Sequence, residues 1–254
     1  MTKTSVPNIG QTQILVGLLI AAAFLIGYLL PKNGTLLGGS AGTAYPSPAA
    51  QAGAPATPNP TQKVDVSVGH LPIKGNSNAP VTLVEFADLR CPFCEKFFTD
   101  TEPALFKDFV DTGKVKFYFR QYAFLGPAST VAANAAECAN EQGKFWDFHD
   151  YMYKNQPQES DTSMYTVDKL TQIAGTLGMN TSQFSSCLSA NKYQKNVDGD
   201  LADGQKAGVS GTPSVFINGR LIVGACPTSV FEGAINAELQ GKTWSAPNCN
   251  LQVQ

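Results

Sequence analysis

An unbroken apolar run occupies residues 14–30 and contains no charged side chain. A helix of this length spans about 25 Å, which is near the lower limit for crossing a bilayer. We predict one uncleaved transmembrane anchor here, preceded by a short N-terminal tail at 1–13. A cleaved signal peptide matches less well, because Pro31 and Lys32 follow the run directly in place of small residues.

The next segment, 31–62, consists mainly of Gly, Ala, Ser, Thr and Pro and has hardly any periodic apolar pattern. Such a composition cannot bury enough apolar surface to fold, so we predict a disordered linker. As a flexible coil it would have an end-to-end distance of about 30 Å. A domain that follows it could work clear of the membrane.

Periodic patterns begin after the linker, and we assign 63–254 to one folded domain. The apolar run at 81–86 predicts a central strand covered on both faces. A helical pattern follows at 91–110, with an interruption expected at Pro103. Alternating apolar and polar residues at 115–122 predict the next strand.

The periodicity is then helical from about 128 to 208, and strand signals return only near the C-terminus. Strands predicted at 214–217 and 221–223 flank an Asn-Gly hairpin turn at 218–219, and a last helix is expected at 228–239. The fold class is therefore α/β with an inserted helical domain. Five helices are predicted in the insertion, near 129–141, 144–154, 166–177, 182–189 and 193–207.

Composition and charge narrow the partners and the compartment. A formal net charge of −2 with 15% charged residues lacks the basic excess of proteins that bind nucleic acid. Six cysteines, an even number, together with the apolar N-terminal run indicate an oxidising compartment. We therefore expect a single-pass protein of the cell membrane with its folded domain on the extracytoplasmic side.

The candidate chemistry lies in the sequence Cys-Pro-Phe-Cys at 91–94, which could be a metal site, a structural crosslink or a redox pair. Zinc would need further ligands, but there is no second pair of this kind, and His70 and His149 lie in unrelated segments. A structural bond across three residues would constrain the unfolded chain little. The redox interpretation is favoured, and it requires no metal or organic cofactor.

The position of the pair assigns a role to each cysteine. Cys91 opens a helix, where unpaired N–H groups and the positive end of the helix dipole favour a thiolate. We expect Cys91 to be the exposed nucleophile. Cys94 lies one turn further along and is expected to be the more buried resolving cysteine.

Gly211-Thr212-Pro213 directly precedes the strand predicted at 214–217. A proline is tolerated at the first residue of a strand, and a plain loop proline is one interpretation. If the Thr212–Pro213 bond is cis, the backbone of Thr212 would face an extended substrate segment beside Cys91. We favour the cis form.

Glu85 is an acidic residue within the apolar strand at 81–86. Burying a carboxylate is costly unless its pKa rises or it finds a partner. We expect a buried Glu85 to exchange a proton with Cys94 when the disulfide opens and closes. The alternative is a solvent-exposed charge at the strand end.

Three segments, 81–94, 143–149 and 208–219, resemble the DsbA-like thioredoxin family, and the similarity extends over about 65–239. The segments read Val-Thr-Leu-Val-Glu-Phe-Ala-Asp-Leu-Arg-Cys-Pro-Phe-Cys, Gly-Lys-Phe-Trp-Asp-Phe-His and Gly-Val-Ser-Gly-Thr-Pro-Ser-Val-Phe-Ile-Asn-Gly. The resemblance implies a thioredoxin fold with a helical insertion. It also implies roles for seven residues: a redox-active disulfide at Cys91 and Cys94, a buried acid at Glu85, and substrate contacts at Pro92, Phe93, Thr212 and Pro213.

Members of this family take electrons from thiols of exported proteins and pass them to a membrane oxidase. The resemblance therefore implies a disulfide oxidase with a DsbB-like or VKOR-like partner. Phe93 takes the place of a histidine found in the best-known oxidases of the family, which removes one donor to the thiolate. A disulfide reductase or isomerase is the alternative, followed by a tethered binding or chaperone module without catalysis.

The remaining four cysteines allow three pairings. We favour Cys138 with Cys187, because both lie in the helical block, and Cys226 with Cys249, which would hold the C-terminal tail. Each bond would stabilise the fold by about 3 to 4 kcal/mol.

Overall fold

A computed structural model of the protein describes residues 63–247 and Cys249. The predicted tail at 1–13, anchor at 14–30 and linker at 31–62 lie outside the described residues. In the part of the chain that is described, no helix combines the length and the apolar character needed to cross a membrane.

The described residues form strands and helices close to the predicted positions. The strands are β1 (Lys74–Gly75), β2 (Val81–Ala87), β3 (Val115–Gln121), β4 (Ser214–Ile217) and β5 (Arg220–Val223). The helices are α1 (Pro92–Asp100), α2 (Glu102–Leu105), α3 (Pro127–Glu141), α4 (Phe145–Lys154), α5 (Val167–Thr176), α6 (Thr181–Ser189), α7 (Gln194–Lys206) and α8 (Thr228–Leu239). The two-residue strand β1 has no counterpart in the sequence prediction.

The five strands form one sheet in the order β1-β3-β2-β4-β5. The central strand β2 is parallel to β3 and antiparallel to β4. All but one of its residues are buried, which explains its nearly continuous apolar sequence. In this register Glu85 lies between Phe119 of β3 and Val215 of β4.

The helix after β2 is interrupted near the predicted position. It breaks at Thr101, and Pro103 lies in the first turn of α2, where a missing N–H group costs no helical hydrogen bond. A π-helical turn at Phe106–Val110 continues α2. The hydroxyl group of Thr101 donates a hydrogen bond to the carbonyl oxygen of Cys226 at 3.2 Å, which fixes the break against the segment before α8.

Helices α3 to α7 form the insertion between β3 and β4. A disulfide joins Cys138 of α3 to Cys187 of α6, and a second joins Cys226 to Cys249. Closing a loop of 49 residues contributes about 4 kcal/mol in the chain-entropy model. The first bond therefore holds two helices of the insertion together.

A buried ion pair joins the insertion to the sheet. The guanidinium group of Arg120 on β3 donates to Asp200 on α7 at 2.9 Å, and the other Asp200 oxygen accepts from the backbone N–H of Gln121 at 2.9 Å. The Arg120 side chain is 2% exposed, and it also contacts the half-exposed carboxylate of Asp203. These contacts fix α7 against the end of β3.

Candidate active site

The loop between β2 and α1 is ordered by the carboxylate of Asp88. One oxygen accepts the backbone N–H of Arg90 at 2.9 Å, and the other accepts those of Phe124 and Leu125 at 3.1 and 3.2 Å. The guanidinium group of Arg90 donates to the carbonyl oxygens of Leu125 and Glu159. The residues before the cysteine pair are thus held by the segment that leads into the insertion and by residue 159 within it.

Cys91 occupies the N-cap position of α1, with Pro92 as the first residue of the helix. Hydrogen bonding from the backbone N–H groups of Phe93 and Cys94 to its sulfur lowers the pKa of Cys91 and so favours the thiolate. Cys91 and Cys94 are both unpaired thiols in the structure. Cys91 is 4% exposed rather than freely exposed as expected, since the backbone of Thr212 lies against its sulfur, and Cys94 is 0% exposed.

The peptide bond between Thr212 and Pro213 is cis. Because β4 runs antiparallel to β2, its first residues lie at the sheet end where β2 leads into α1. The carbonyl oxygen of Thr212 is consequently 3.5 Å from the sulfur of Cys91. Thr212 and Cys91, 121 residues apart in sequence, thus share one site, and Pro213 is buried.

The two sulfur atoms have opposite electrostatic environments. A hydrogen bond from Cys94 is the largest cause that lowers the pKa of Cys91 to about 7, with smaller contributions from Thr212 and the helix N-terminus. Burial raises the pKa of Cys94 well above its ordinary value. Cys91 therefore supplies the reactive thiolate near neutral pH, and Cys94 holds a proton.

The reactivity of reduced Cys91 is expected to titrate with a midpoint near pH 7. Iodoacetamide alkylation and thiolate absorbance, followed against pH, measure that midpoint. The replacement Cys94→Ala should raise it, since the largest lowering contribution is lost. Because the folded pKa lies below the reference value of 9.0, the stability that this thiolate contributes is fully present above pH 9 and is lost as the pH falls through 7. A wild-type midpoint near 9 would contradict the assignment.

Glu85 is buried, with 1% exposure, so the solvent-exposed alternative is wrong. Its carboxyl group is hydrogen-bonded to that of Glu102, the first residue of α2, which is 2% exposed. Burial raises the pKa of both, that of Glu102 to about 8. No signal in the sequence points to Glu102, because an acidic residue in the first turn of a helix ordinarily interacts with the positive end of the helix dipole at an exposed position.

A largely apolar cleft of about 380 Å³ opens beside Cys91. Two of its aromatic side chains, Phe93 and Phe124, are 48% and 43% exposed. The cleft is lined by Cys91, Pro92, Phe93, Lys96, Phe124, Leu125, Glu159, Gly211, Thr212, Ala225 and Cys249. It therefore brings together Cys91 and three of the four predicted substrate contacts, Pro92, Phe93 and Thr212.

A sheet of this order, a helix-capping Cys-x-x-Cys pair and an adjacent cis-proline define a thioredoxin-fold thiol:disulfide oxidoreductase. The sequence matches the thioredoxin family over residues 68–237, and the chain belongs to that family. Within the described residues, no three His, Cys, Asp or Glu side chains are grouped as metal ligands would be. The exchange reaction of this class uses the cysteine pair itself.

Comparison with known proteins narrows the class. The chain is 32% identical over 179 residues to disulfide bond formation protein D of Bacillus subtilis, covering 69% of this chain and 80% of that protein. The crystal structure of oxidised BdbD from the same organism superimposes with a TM-score of 0.67 at 31% identity, covering 72% of this chain and 100% of that one. Alpha-DsbA1 of Wolbachia pipientis shares the fold, with a TM-score of 0.62 at 20% identity over 69% of this chain and 94% of that one.

These similarities confirm the predicted α/β thioredoxin fold with a helical insertion. They also confirm that the protein is a DsbA-like thiol:disulfide oxidoreductase. An enzyme of this kind requires no cofactor beyond its redox-active cysteine pair.

Proposed function

We propose that the protein is a membrane-anchored disulfide oxidase that forms disulfide bonds in exported proteins through Cys91 and Cys94. The observation that carries this proposal is the position of Cys91 at the N-terminus of α1, 3.5 Å from the backbone carbonyl oxygen of Thr212 and one turn before the fully buried thiol of Cys94. The name of the related disulfide bond formation protein D supports the oxidative direction.

The reaction begins with the enzyme disulfide. A substrate thiolate attacks the sulfur of Cys91, a mixed disulfide forms, and Cys94 leaves as a thiolate that takes up a proton. A second substrate thiolate then attacks the substrate sulfur, and Cys91 leaves. The substrate loses two electrons and gains a disulfide, while Cys91 and Cys94 end as thiolate and thiol.

Substrate binding uses the cleft beside Cys91. The backbone of Thr212 is available to an extended peptide segment, as in strand addition at a sheet edge. Phe93 and Phe124 offer exposed apolar surface to side chains that flank the substrate cysteine. Thiol-containing segments that are still unfolded fit such a site best, because their backbone groups are free.

Residues 14–30 anchor the enzyme in the cell membrane, and the linker at 31–62 lets the domain reach substrates on the extracytoplasmic side. The even number of cysteines and the two disulfides of the domain favour that compartment. A DsbB-like or VKOR-like membrane oxidase would accept the electrons from reduced Cys91 and Cys94.

A disulfide reductase is the second candidate function, and the pKa of Cys91 favours it. A value of about 7 is that of thioredoxin, whereas the strongly oxidising DsbA has about 3.5. A less stabilised thiolate means a less oxidising disulfide. We therefore place the oxidase among the moderate oxidants of its class.

The redox potential of the Cys91/Cys94 pair decides between the two candidates. Equilibration of the full chain with glutathione buffers, read by alkylation, should give a value between about −270 mV (thioredoxin) and about −120 mV (DsbA). A potential at or below about −270 mV would overturn the oxidase assignment. The same samples should show Cys138 and Cys187 still linked, which provides an internal control.

A further inference from the structure

Glu85 and Glu102 form a buried pair of carboxyl groups. Two carboxylates in contact inside a protein cannot both ionise at modest cost, so the pair retains a proton near neutral pH. One oxygen of each group has no hydrogen-bond partner among the described residues. The pair is therefore able to take up and release a proton.

The two members of the pair face different surroundings. A negative charge on Cys91 raises the pKa of Glu85. A negative charge on Glu85 in turn raises the pKa of Cys94 and of the buried hydroxyl group of Tyr153. Glu85 thus belongs to the cysteine side of the pair.

Glu102 belongs to the solvent side. The positive charge of Lys74 on β1 lowers its pKa and the negative charge of Asp150 on α4 raises it, against the larger effect of burial. The side chains of Lys74 and Asp150 are each 31% exposed and lie 3.9 Å apart. Both line a cleft of about 410 Å³ that includes Glu102 and Lys154.

This second cleft, which we call the Lys74 cleft, shares no lining residue with the cleft beside Cys91. The amino group of Lys74 lies 4.8 Å from the ring centre of Phe106 and 4.6 Å from that of Trp146. These two cation–π contacts keep the amino group at the edge of the cleft. A proton that enters here does not cross the substrate site.

The catalytic cycle needs such an entry. Each opening of the disulfide places a proton on Cys94, and each closure removes it, so Glu85 must regain or lose one proton per step. Glu85 is 1% exposed, and a substrate joined to Cys91 would cover the cleft on that side. Proton exchange through the substrate cleft is therefore blocked when it is required.

We propose that Glu102 is the residue through which Glu85 exchanges protons with solvent at the Lys74 cleft, on a side of the site separate from bound substrate. When the disulfide opens, Glu85 gives its proton to the Cys94 thiolate, Glu102 returns one to Glu85, and Glu102 is reprotonated from solvent. Closure reverses these transfers. Glu102 touches no reacting sulfur atom and acts as a positioning and relay residue. This inference rests on the proposed function and on the proton exchange between Glu85 and Cys94 that the sequence predicts.

The test is single-turnover reduction of the oxidised full chain by a dithiol peptide, followed against pH in H₂O and D₂O. Glu102→Gln keeps the size and the hydrogen bond to Glu85 but cannot relay a proton. Near pH 7 this variant should slow the reduction on the order of tenfold and enlarge the solvent isotope effect on its rate. Added imidazole, as an external proton carrier, should speed the reaction of this variant. Glu102→Asp should retain the wild-type profile.

Asp108→Asn is the matched control, because it removes one carboxylate from an exposed position in the next turn of the same segment. It should behave as wild type. Identical profiles for Glu102→Gln and Asp108→Asn would overturn the proposal. If Glu102→Gln does not fold, Lys74→Met takes its place in the test. Loss of the Lys74 charge should shift the pH dependence of the reduction rate upward, and an unchanged pH dependence would overturn the relay.

Glu85→Gln separates this inference from the proposed function. If Glu85→Gln changes the profile and Glu102→Gln does not, only the relay through Glu102 is wrong. If neither variant changes it while the wild type exchanges disulfides, the role of Glu85 is wrong and the relay fails with it. A wild-type chain without exchange would overturn the proposed function itself.

Discussion

Replacing Cys91 with serine is expected to lower the rate of disulfide transfer to a dithiol peptide by at least about a thousandfold. A hydroxyl group cannot form the disulfide or supply a thiolate near neutral pH. Cys94 cannot substitute for it, because it is 0% exposed and burial raises its pKa well above the ordinary value. Fluorescence of the peptide, which changes on oxidation, measures the loss.

The matched variant is Cys94→Ala, which keeps the attacking sulfur and removes the resolving one. It should also fail to complete turnover. Once its Cys91 is loaded as a mixed disulfide with glutathione, a substrate peptide with a single thiol should displace glutathione and remain joined to Cys91, visible by mass under non-reducing conditions. Cys91→Ser should accumulate none. Adducts on Cys94 in the Cys91→Ser variant would show that the roles of the two cysteines are reversed.

Loss of the buried ion pair is expected to have the largest effect on stability. Arg120→Met leaves the carboxylate of Asp200 buried without its charged partner, which should lower the free energy of unfolding by about 3 to 5 kcal/mol. The midpoint of urea denaturation of the oxidised protein measures the change.

Two further variants test the cause. Arg120→Met combined with Asp200→Asn removes both charges and should recover most of the lost stability, because the amide oxygen still accepts the backbone N–H of Gln121 and no buried charge is left unpaired. Asp203→Asn, at a side chain that is 52% exposed, should cost less than about 1 kcal/mol. Equal losses in Asp200→Asn alone and in the double variant would contradict a charge effect.

Local patterns were sufficient to predict most of the fold. The buried strand β2 has a nearly continuous apolar sequence, and the helices of the insertion keep a clear helical period. Strand β1 is not predictable from the sequence, because its two residues form a strand only by pairing with Phe117 and Lys116 of β3. Such a pairing leaves no periodic signal in so short a segment.

The reacting cysteines were found in the sequence because the chemistry depends on a short motif. Their surroundings depend on contacts between distant segments. Glu102 meets Glu85 only because the helix breaks at Thr101, and the charges of Lys74 and Asp150 arrive from two other elements. The sequence predicts an exposed Cys91, but in the folded protein the backbone of Thr212 lies against its sulfur.

The carboxylate of Asp88 connects the two parts of the domain, the sheet with its catalytic loop and the helical insertion. This carboxylate accepts hydrogen bonds from backbone N–H groups of the catalytic loop and of the segment before α3. The hydroxyl group of Tyr153 on α4 donates a hydrogen bond to the backbone carbonyl oxygen of Asp88 at 3.3 Å. The helical block is thus part of the support for the nucleophile rather than a removable module. Grafting a different helical block onto this sheet would change the reactivity of Cys91 as well as the shape of the surface around it.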